Sequence, residues 1–251
     1  MISSDYYRRF GGLARLYGEQ GLSRLRSAHA VVIGVGGVGS WAVEALARSG
    51  IGELTLIDMD HIAESNINRQ LHALSATLGM SKIEAMRERI LAINPEAKVN
   101  LVDDWITPDN IASVVPQNAR VIVDAIDQPR AKAALIAWSK KSCVPVLVCG
   151  AAGGRTHATS FAVTDVALVK GDALIASVRG RLRRDYSYSR VPLAAFGVMA
   201  IHSTEIPVST KNSSQTPVDG SLNCAGYGSV VTVTATMGFV AADQAMKIIL
   251  K

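Results

Sequence analysis

The sequence predicts an α/β fold, with a Rossmann-like, doubly wound and mostly parallel sheet between N-terminal helices and a C-terminal extension of strand, loop and helix. Short apolar runs alternate with helical patterns through the first 150 residues, as expected for strands buried under helices on both faces. A glycine-rich turn follows the first run, and an acidic pair ends the second. Because ligands of such sheets bind beyond the carboxyl ends of the strands, these features predict a ligand site there.

Each element of this core follows from its local pattern. Residues 5–26 are predicted to be helical and precede the first strand. Strands are expected at 30–35, 53–58, 97–102, 120–125 and 145–149, and the helices between them at 38–49, 81–93, 108–115 and 130–141. The helix at 81–93 carries isoleucine and methionine at helical spacing and ends before Pro95, which disfavours helical backbone at the preceding residue.

The alternation ends near residue 155. We expect a strand at 156–163, then a long, polar and irregular region at 164–222 that contacts substrate or a partner. The apolar stretch Val230 to Leu250 is interrupted by Asp243, Gln244 and Lys247, which favours a buried C-terminal helix over a membrane span. The chain, residues 1–251, is therefore predicted to be a single domain, with a nucleotide-binding core at 5–155 and an extension for substrate and dimer contacts at 156–251.

The cysteines and the N-terminal residues indicate the cellular compartment in which the protein is expected. The three cysteines, Cys143, Cys149 and Cys224, form no CxxC pair, so a structural zinc site or a disulfide framework is not expected. The first nine residues are polar and charged, unlike a signal peptide. Both observations favour a reducing, cytoplasmic location.

The net charge of +5 permits a polyanionic partner without requiring one. Basic residues cluster in one segment, with two tyrosines among them: Arg179, Arg181, Arg183, Arg184, Arg190, Tyr186 and Tyr188. The segment is interpreted either as a solvated loop or as a nucleic-acid-binding patch.

The glycine-rich turn predicts a nucleotide site. It contains four glycines: Gly34, Gly36, Gly37 and Gly39. Glycines allow the backbone to approach a phosphate, and the following helix offers free N–H groups. Such a loop alone is weak evidence, but Asp58 follows Gly34 by 24 residues, with Asp60 just beyond. A carboxylate at that distance accepts both hydroxyls of a ribose.

The polar residues after Asp58 favour a triphosphate over a dinucleotide. Arg69, flanked by Asn66 and Gln70, is expected to reach phosphates, and Lys82 is expected to meet them as a point charge. Asp127, after the strand at 120–125, is placed to hold Mg²⁺. The alternative for each residue alone is a helix cap, a solvated arginine, a surface lysine or a turn aspartate.

Four further polar residues have no assigned chemistry from spacing alone. Arg9 is distant in sequence from the pocket, and a solvated helix arginine is the alternative to a role across a dimer interface. Cys224, before the last helix, is interpreted as a small buried side chain rather than a nucleophile. His157 and His202 have no metal-ligand spacing and are interpreted as structural or surface residues.

These motifs together resemble the ubiquitin-activating, or E1-like, superfamily over residues 5 to about 155. The resemblance rests on Gly34-x-Gly36-Gly37-x-Gly39, Leu56-Ile57-Asp58-x-Asp60, Ser65-Asn66-x-Asn68-Arg69-Gln70, Lys82, Ile93-Asn94-Pro95 and Asp124-Ala125-Ile126-Asp127. It implies an enzyme that adenylates a carboxylate with ATP and Mg²⁺ and releases pyrophosphate.

The resemblance also implies roles for individual residues. Asp58 would hold the ribose, while Gly36 and Gly37 would line the nucleotide. The phosphates would be bound by Asn66, Arg69, Gln70 and Lys82, and the magnesium by Asp127. Arg9 would act in trans across a homodimer.

Three segments resemble one branch of that superfamily, the bacterial tRNA threonylcarbamoyladenosine dehydratase family. They are 8–18, 107–110 with 124–136, and 231–241. This resemblance implies activation of the threonylcarbamoyl carboxylate (t6A) at adenosine 37 of tRNA and its cyclisation with net loss of water. It also implies a monovalent cation, K⁺ or Na⁺, and partnership with a cysteine desulfurase system.

Three other functions stay open on the sequence. An activator of a ubiquitin-like or sulfur-carrier protein shares the fold, but such enzymes usually carry two CxxC pairs. A catalytically silent E1-like scaffold has no reason to keep Arg69, Lys82 and Asp127 together. An NAD-dependent oxidoreductase leaves Asn66, Arg69 and Gln70 unexplained.

Overall fold

The computed structural model describes residues 3–208 and 227–251, and seven α-helices and seven strands lie within them. The helices are α1 (Ser4–Ser27), α2 (Gly39–Arg48), α3 (Lys82–Ile93), α4 (Ile111–Val114), α5 (Pro129–Ser142), α6 (Ala173–Asp185) and α7 (Val231–Leu250). The strands are β1 (His29–Ile33), β2 (Glu53–Ile57), β3 (Lys98–Val102), β4 (Val121–Asp124), β5 (Val146–Cys149), β6 (Phe161–Asp165) and β7 (Met199–Ser203).

The strands form one sheet in the order β3-β2-β1-β4-β5-β7-β6. All neighbours are parallel except β6, which pairs antiparallel to β7. In the middle of the sheet, Val32 of β1 aligns with Leu56 on one side and Val123 on the other. Chain order reverses between β1 and β4, which is where ligands of doubly wound sheets bind. The predicted fold class is confirmed.

Alternate residues of the central strands enter two separate apolar layers. Val32 packs on the face covered by α2, α3 and α7, together with Leu46 and Met237. Val31 packs on the opposite face, covered by α5 and α6. Both valines are fully buried. This burial on both faces explains why the strands are nearly continuous apolar runs in the sequence.

The C-terminal helix is a core element, as the sequence predicts. Met237, Ala241 and Ala245 of α7 are fully buried. A Cβ on Gly238 would lie 2.5 Å from the carbonyl oxygen of Val38, so the absence of a side chain allows α7 to approach α2 closely. By length and composition α7 is the one helix of the described residues that could cross a membrane, and half of its apolar window is buried inside this fold.

The prediction of an irregular region at 164–222 is wrong for much of its length. Helix α6 and strand β7 both lie within it, and β6 extends to Asp165. Leu174, Ile175, Val178 and Leu182 of α6 face the core, and arginines on the other positions conceal this apolar stripe in the sequence. Four of the clustered arginines are therefore on a helix, not on a loop. Residues 209–226, with Cys224, lie outside the described residues.

Candidate functional site

A cavity of about 780 Å³ opens at the carboxyl ends of β1, β2, β4 and β5. This volume is in the range of small-molecule sites. Its wall includes all the residues proposed from the sequence for nucleotide or metal binding, except Arg9 and Gly39: Gly34, Gly36, Gly37, Asp58, Asp60, Asn66, Arg69, Gln70, Lys82 and Asp127. The sheet thus brings together side chains that are up to 93 positions apart in the sequence.

The glycine turn joins β1 to α2 at the base of the cavity. Gly34 has φ of +83° and its N–H donates to the Ile57 carbonyl at 2.9 Å. A left-handed φ is readily adopted only by glycine. Gly39 permits the tight turn, because a Cβ there would overlap the Gly34 carbonyl oxygen; it is not on the cavity wall, and its contact with a nucleotide stays a prediction.

Asp58 is held by backbone donors at the end of β2. Its Oδ2 accepts from the Val35 N–H at 2.6 Å, and its Oδ1 accepts from the Asp60 N–H at 2.8 Å. Burial raises the pKa of Asp58, and the nearby Lys82 ammonium opposes that rise. Since a carboxylate has about four acceptor positions, both oxygens retain capacity for ligand hydroxyls.

Lys82 is placed by the start of α3 and by Asp60. Its side chain is only 7% exposed, and Nζ forms an ion pair with the Asp60 carboxylate. The Lys82 N–H also donates to the Asp60 carbonyl oxygen at 3.1 Å. The ammonium is therefore fixed at the cavity wall, where its positive charge would attract an anionic ligand.

The segment after Asp60 places a guanidinium on the same wall. Arg69 Nη1 donates to the Ser65 carbonyl at 2.8 Å and to Asn68 Oδ1 at 2.9 Å. The Arg69 carbonyl accepts from the Trp41 indole at 3.0 Å. These contacts constrain both ends of the residue, so its remaining N–H donors are held in a fixed orientation.

The amides beside Arg69 differ in their surroundings. Asn66 Oδ1 caps a short 3₁₀ turn by accepting from the Ala63 N–H at 3.1 Å, the alternative considered for it from sequence. Gln70 is 7% exposed, and its Oε1 has no hydrogen-bond partner in the described part of the chain. A buried acceptor without a partner is costly, so Gln70 is suited to a ligand donor.

A buried ion pair lies behind Asp127. Asp124, at the end of β4, and Lys132 on α5 are both fully buried, with Lys132 Nζ 2.8 Å from Asp124 Oδ1. The same Oδ1 accepts from the Ile126 N–H at 3.0 Å, and the Lys132 ammonium donates to the Asp124 carbonyl at 3.2 Å. This pair orders the backbone that leads to Asp127. Sequence reasoning missed it, although Asp124 and Lys132 lie eight residues apart.

Cys149 also lies at the cavity, at the end of β5. Burial raises the pKa of its thiol to about 12. A thiol with so high a pKa is a poor nucleophile, because the thiolate is the reactive form.

Another part of the wall comes from the second half of the chain, where the sequence placed the Gly150 loop at the ligand-binding edge but singled out neither Tyr227 nor Thr234. The loop 150–153 and residues Tyr227 and Thr234 line the cavity. Asp172, the N-cap of α6, accepts from the Ala151 N–H at 2.9 Å, and Asn68 Nδ2 donates to the Ser229 carbonyl at 2.9 Å. Asn–backbone contacts of this kind leave no signal in local periodicity.

The remaining predicted residues lie away from the cavity. Arg9 Nε donates to Asp5 at 2.9 Å and its Nη1 to the Ile93 carbonyl at 3.4 Å. His157 is exposed, and His202 is buried beside Thr164, as expected of surface and structural residues. Among residues 3–208 and 227–251, no group of three histidine, cysteine or acidic side chains could hold a metal by itself.

The cavity wall therefore combines cations and carboxylates. Arg69 and Lys82 provide positive charge, whereas Asp58 and Asp127 provide acceptors for hydroxyls or for a hydrated cation. This combination suits a ligand with a ribose at one end and phosphates at the other.

Comparison with known proteins gives consistent results. A family model described as the ThiF family matches residues 7–251. The tRNA threonylcarbamoyladenosine dehydratase of Haemophilus influenzae is 46% identical over 248 residues, which cover 98% of this chain and 95% of that protein. The crystal structure of the Escherichia coli tRNA N6-threonylcarbamoyladenosine dehydratase in complex with ATP superposes with a TM-score of 0.90 at 44% identity, covering 99% of this chain and 96% of that one. A structure of the same protein with AMP gives the same TM-score and identity.

Proposed function

This chain belongs to the ThiF family, and we propose that it uses ATP to adenylate the threonylcarbamoyl carboxylate of t6A at position 37 of tRNA. The adenylate is then displaced within the same nucleoside, which gives cyclic t6A with net loss of water. One observation carries the proposal: dehydratases of that name are 44–46% identical to this chain along nearly their whole length, and one of them binds ATP in its crystal structure.

Adenylation solves a chemical problem of this reaction. A carboxylate is a poor electrophile, because substitution would expel oxide. Attack of a carboxylate oxygen on the α-phosphorus of ATP forms a C–O–P linkage and expels pyrophosphate. A nucleophile of the same substituent then attacks the activated carbonyl carbon and expels AMP. The protein mainly positions the reactants and neutralises phosphate charge. This chemistry needs no cysteine nucleophile, so the high pKa of the Cys149 thiol is compatible with it.

We assign the nucleotide contacts to the residues of the cavity wall. Asp58 accepts the ribose hydroxyls, and the turn at Gly36 and Gly37 lies against the nucleotide. Arg69 and Lys82 neutralise the phosphates, with Asn66 and Gln70 beside them. The fixed positions of the Arg69 guanidinium and of the Lys82 ammonium support these roles, since charges held in place need no reorganisation during the reaction.

Asp127 is assigned to Mg²⁺. The donor set fits this ion, because Mg²⁺ usually binds one or two carboxylates and completes its shell with phosphate oxygens and water. Asp127 is half-buried on the cavity wall. When bound, Mg²⁺ would compensate charge on the phosphates.

The remaining assignments concern assembly. We treat the chain as a single adenylation domain, with 5–155 as nucleotide-binding core and 156–251 contacting tRNA and a second protomer in the cytoplasm. Arg9 lies outside the wall of its own cavity, so we propose that it reaches a partner protomer's triphosphate in a homodimer. The resemblance also predicts a bound K⁺ or Na⁺ ion and a cysteine desulfurase partner, and both remain predictions.

The proposed function is tested on nucleosides from tRNA that carries t6A. The tRNA is incubated with the protein, ATP and Mg²⁺, digested, and analysed by mass spectrometry. Loss of one water from the modified adenosine, dependent on ATP, is expected. No change in mass with correctly modified tRNA would reject the proposal. Pyrophosphate exchange stimulated by a carrier protein with a Gly-Gly tail would then support the alternative, a carrier-protein adenylyltransferase.

A further inference from the structure

A second cavity, of about 640 Å³, lies between the C-terminal half of α5 and the segment that follows α6. Its wall contains four aromatic side chains, Trp138, Tyr186, Tyr188 and Phe196, and the two lysines at the end of α5, Lys140 and Lys141. The residues that we assign to ATP line the other cavity instead. This second cavity, the aromatic cavity, has no role in the adenylation chemistry derived above.

The aromatic cavity adjoins the nucleotide cavity. A single segment separates them, since Trp105 and Ile106 face the nucleotide cavity, whereas Pro108 and Ile111 face the aromatic cavity. Helix α6 also spans both, with Leu174 at one end and Tyr186 just beyond the other. With a rise of 1.5 Å per residue, the two ends are roughly 18 Å apart.

Two cations lie close to the aromatic rings, and one carboxylate, Asp109, is also on the wall. Lys140 Nζ lies 4.8 Å from the centroid of the Tyr188 ring, and the Arg183 guanidinium lies 5.6 Å from that of Phe196. Lys140 and Lys141 are both exposed. Aromatic faces combined with cations are the features by which proteins bind unpaired nucleotides, because the rings stack on bases and the cations contact phosphates.

Tyr188, on the wall of the aromatic cavity, carries an unsatisfied polar atom. The Tyr188 hydroxyl oxygen is buried and has no hydrogen-bond partner within the described residues. An unmade hydrogen bond at a buried hydroxyl costs free energy, and the polar edge of a base could make it. An apolar partner would leave it unsatisfied.

We infer that the aromatic cavity binds an unpaired nucleotide of the tRNA, one that flanks the nucleotide modified in the first cavity. This inference rests on the proposed function. A stacked strand rises about 3.4 Å per nucleotide, so a span of roughly 18 Å corresponds to at most about five nucleotides. Recognition of a second nucleotide selects tRNA over the free modified nucleoside.

The inference is tested with an RNA hairpin that carries t6A in its loop, used as both ligand and substrate. Two variants remove features of the aromatic cavity: Tyr186→Leu removes a stacking face, and the double change Lys140→Gln, Lys141→Gln removes charge. Lys247→Gln is the control, since this exposed lysine is on α7, which packs on the other face of the sheet.

Three quantities are measured: the Kd for the hairpin, the cyclisation rate at saturating hairpin, and the Kd for ATP. Tyr186→Leu is expected to raise the hairpin Kd by about tenfold or more. The double lysine variant is expected to make the slope of log Kd against log salt shallower by about 1.4, for two phosphate contacts on single-stranded RNA. The saturated rate and the ATP Kd should not change, and the control should match wild type.

Abasic scanning of the hairpin loop identifies the bound nucleotide. One abasic position besides the modified nucleotide is expected to weaken binding by wild type about tenfold and to have no further effect on Tyr186→Leu. If wild type converts the hairpin but no abasic position is coupled to Tyr186→Leu, the inference is overturned while the proposed function stands. If wild type does not convert modified hairpin or tRNA, the proposed function itself fails, and the inference fails with it.

Discussion

The ammonium of Lys132 lies 2.8 Å from the carboxylate of Asp124, and neither side chain is exposed to solvent. Burial raises the pKa of Asp124, and the Lys132 charge opposes that rise. Because the pair also holds the backbone ahead of Asp127 through the Ile126 N–H, it connects the packing of α5 to the geometry of the nucleotide cavity.

Replacing Lys132 by methionine should destabilise the fold strongly. The change leaves the Asp124 carboxylate buried without its cation, which costs about 3–5 kcal/mol. Urea unfolding measures the loss. The control is Lys141→Met, an exposed position on the same helix, expected to change stability by less than about 0.5 kcal/mol. Equal stability of the two variants would show that the buried pair contributes nothing net.

Two glycine-to-alanine changes in helices are expected to have opposite effects on stability, because one glycine lies at the contact between α7 and α2 and the other has open space beside it. In Gly238→Ala the new Cβ would lie 2.5 Å from the Val38 carbonyl oxygen, and overpacking of this kind costs about 1–3 kcal/mol. Gly180, within α6, has open space around its Cβ position, so Gly180→Ala should stabilise by up to about 1 kcal/mol. Thermal unfolding of both variants checks the signs, and a stabilised Gly238→Ala variant would contradict the close approach.

Glu205 gives a prediction about pH. Its carboxylate accepts from the backbone N–H groups of His157 and Thr156 at 3.0 and 2.9 Å. The His157 bond is the largest cause that lowers the pKa of Glu205 from 4.5 to about 2. A depressed pKa means that the contribution to stability is complete above about pH 4.5 and is lost as pH falls toward 2.

The difference in melting temperature between wild type and Glu205→Gln should therefore be largest near pH 7 and should shrink below pH 4.5. Glu88→Gln, an exposed glutamate on α3, controls for the general effect of one lost carboxylate. A difference that stays constant from pH 7 to pH 3 would contradict the assignment.

Arg69→Ala and Asp127→Ala should abolish adenylation and leave the fold intact. Arg69→Ala removes a cation at the phosphates, and Asp127→Ala removes the carboxylate that would hold Mg²⁺ there; losses of about a hundredfold or more are typical for such groups. Pyrophosphate release and circular dichroism are measured together. Arg87→Ala, an exposed arginine on α3, is the matched control. Full turnover by either site variant would reject the phosphate and magnesium assignments.

Arg9 is expected to act across a dimer interface. Arg9→Ala and Lys82→Ala should each be inactive alone, because each removes one cation from every site. In a mixed dimer, one site receives both intact residues, so activity should partly return. Differently tagged protomers, purified through both tags, provide the sample. No recovery in verified heterodimers would exclude a shared site.

Much of the cavity was predictable from the sequence because its signals are local. The Gly34 turn and Asp58 each come directly after a strand, Arg69 lies in the connection that follows β2, and parallel strands bring their carboxyl ends to one edge. The predicted strands in the first 150 residues are confirmed to within two residues at each end. Burial on both sides of the sheet gives these strands an apolar pattern that does not depend on distant context.

Helix α6 shows where local pattern was insufficient. Its apolar positions Val178 and Leu182 are separated by arginines, so the sequence resembles a polar loop. Packing against the sheet makes this segment a helix, because burial of its apolar positions stabilises the helix more than its local propensity does. Gly39 is a second case: sequence assigned it to the nucleotide, and the structure adds that the turn itself requires a glycine there, because a Cβ would overlap the Gly34 carbonyl oxygen.

The sequence by itself therefore determined the sheet, its ligand-binding edge and the chemical types of the residues there, because each depends on patterns within a few positions. Only the tertiary structure decided the Asp124–Lys132 pair, the wall formed by Tyr227 and Thr234, and the separation of Arg9 from its own cavity. These features join segments that are far apart in the chain or lie on different elements. Packing determines such contacts, and the local hydrophobic pattern of the sequence carries no information about them.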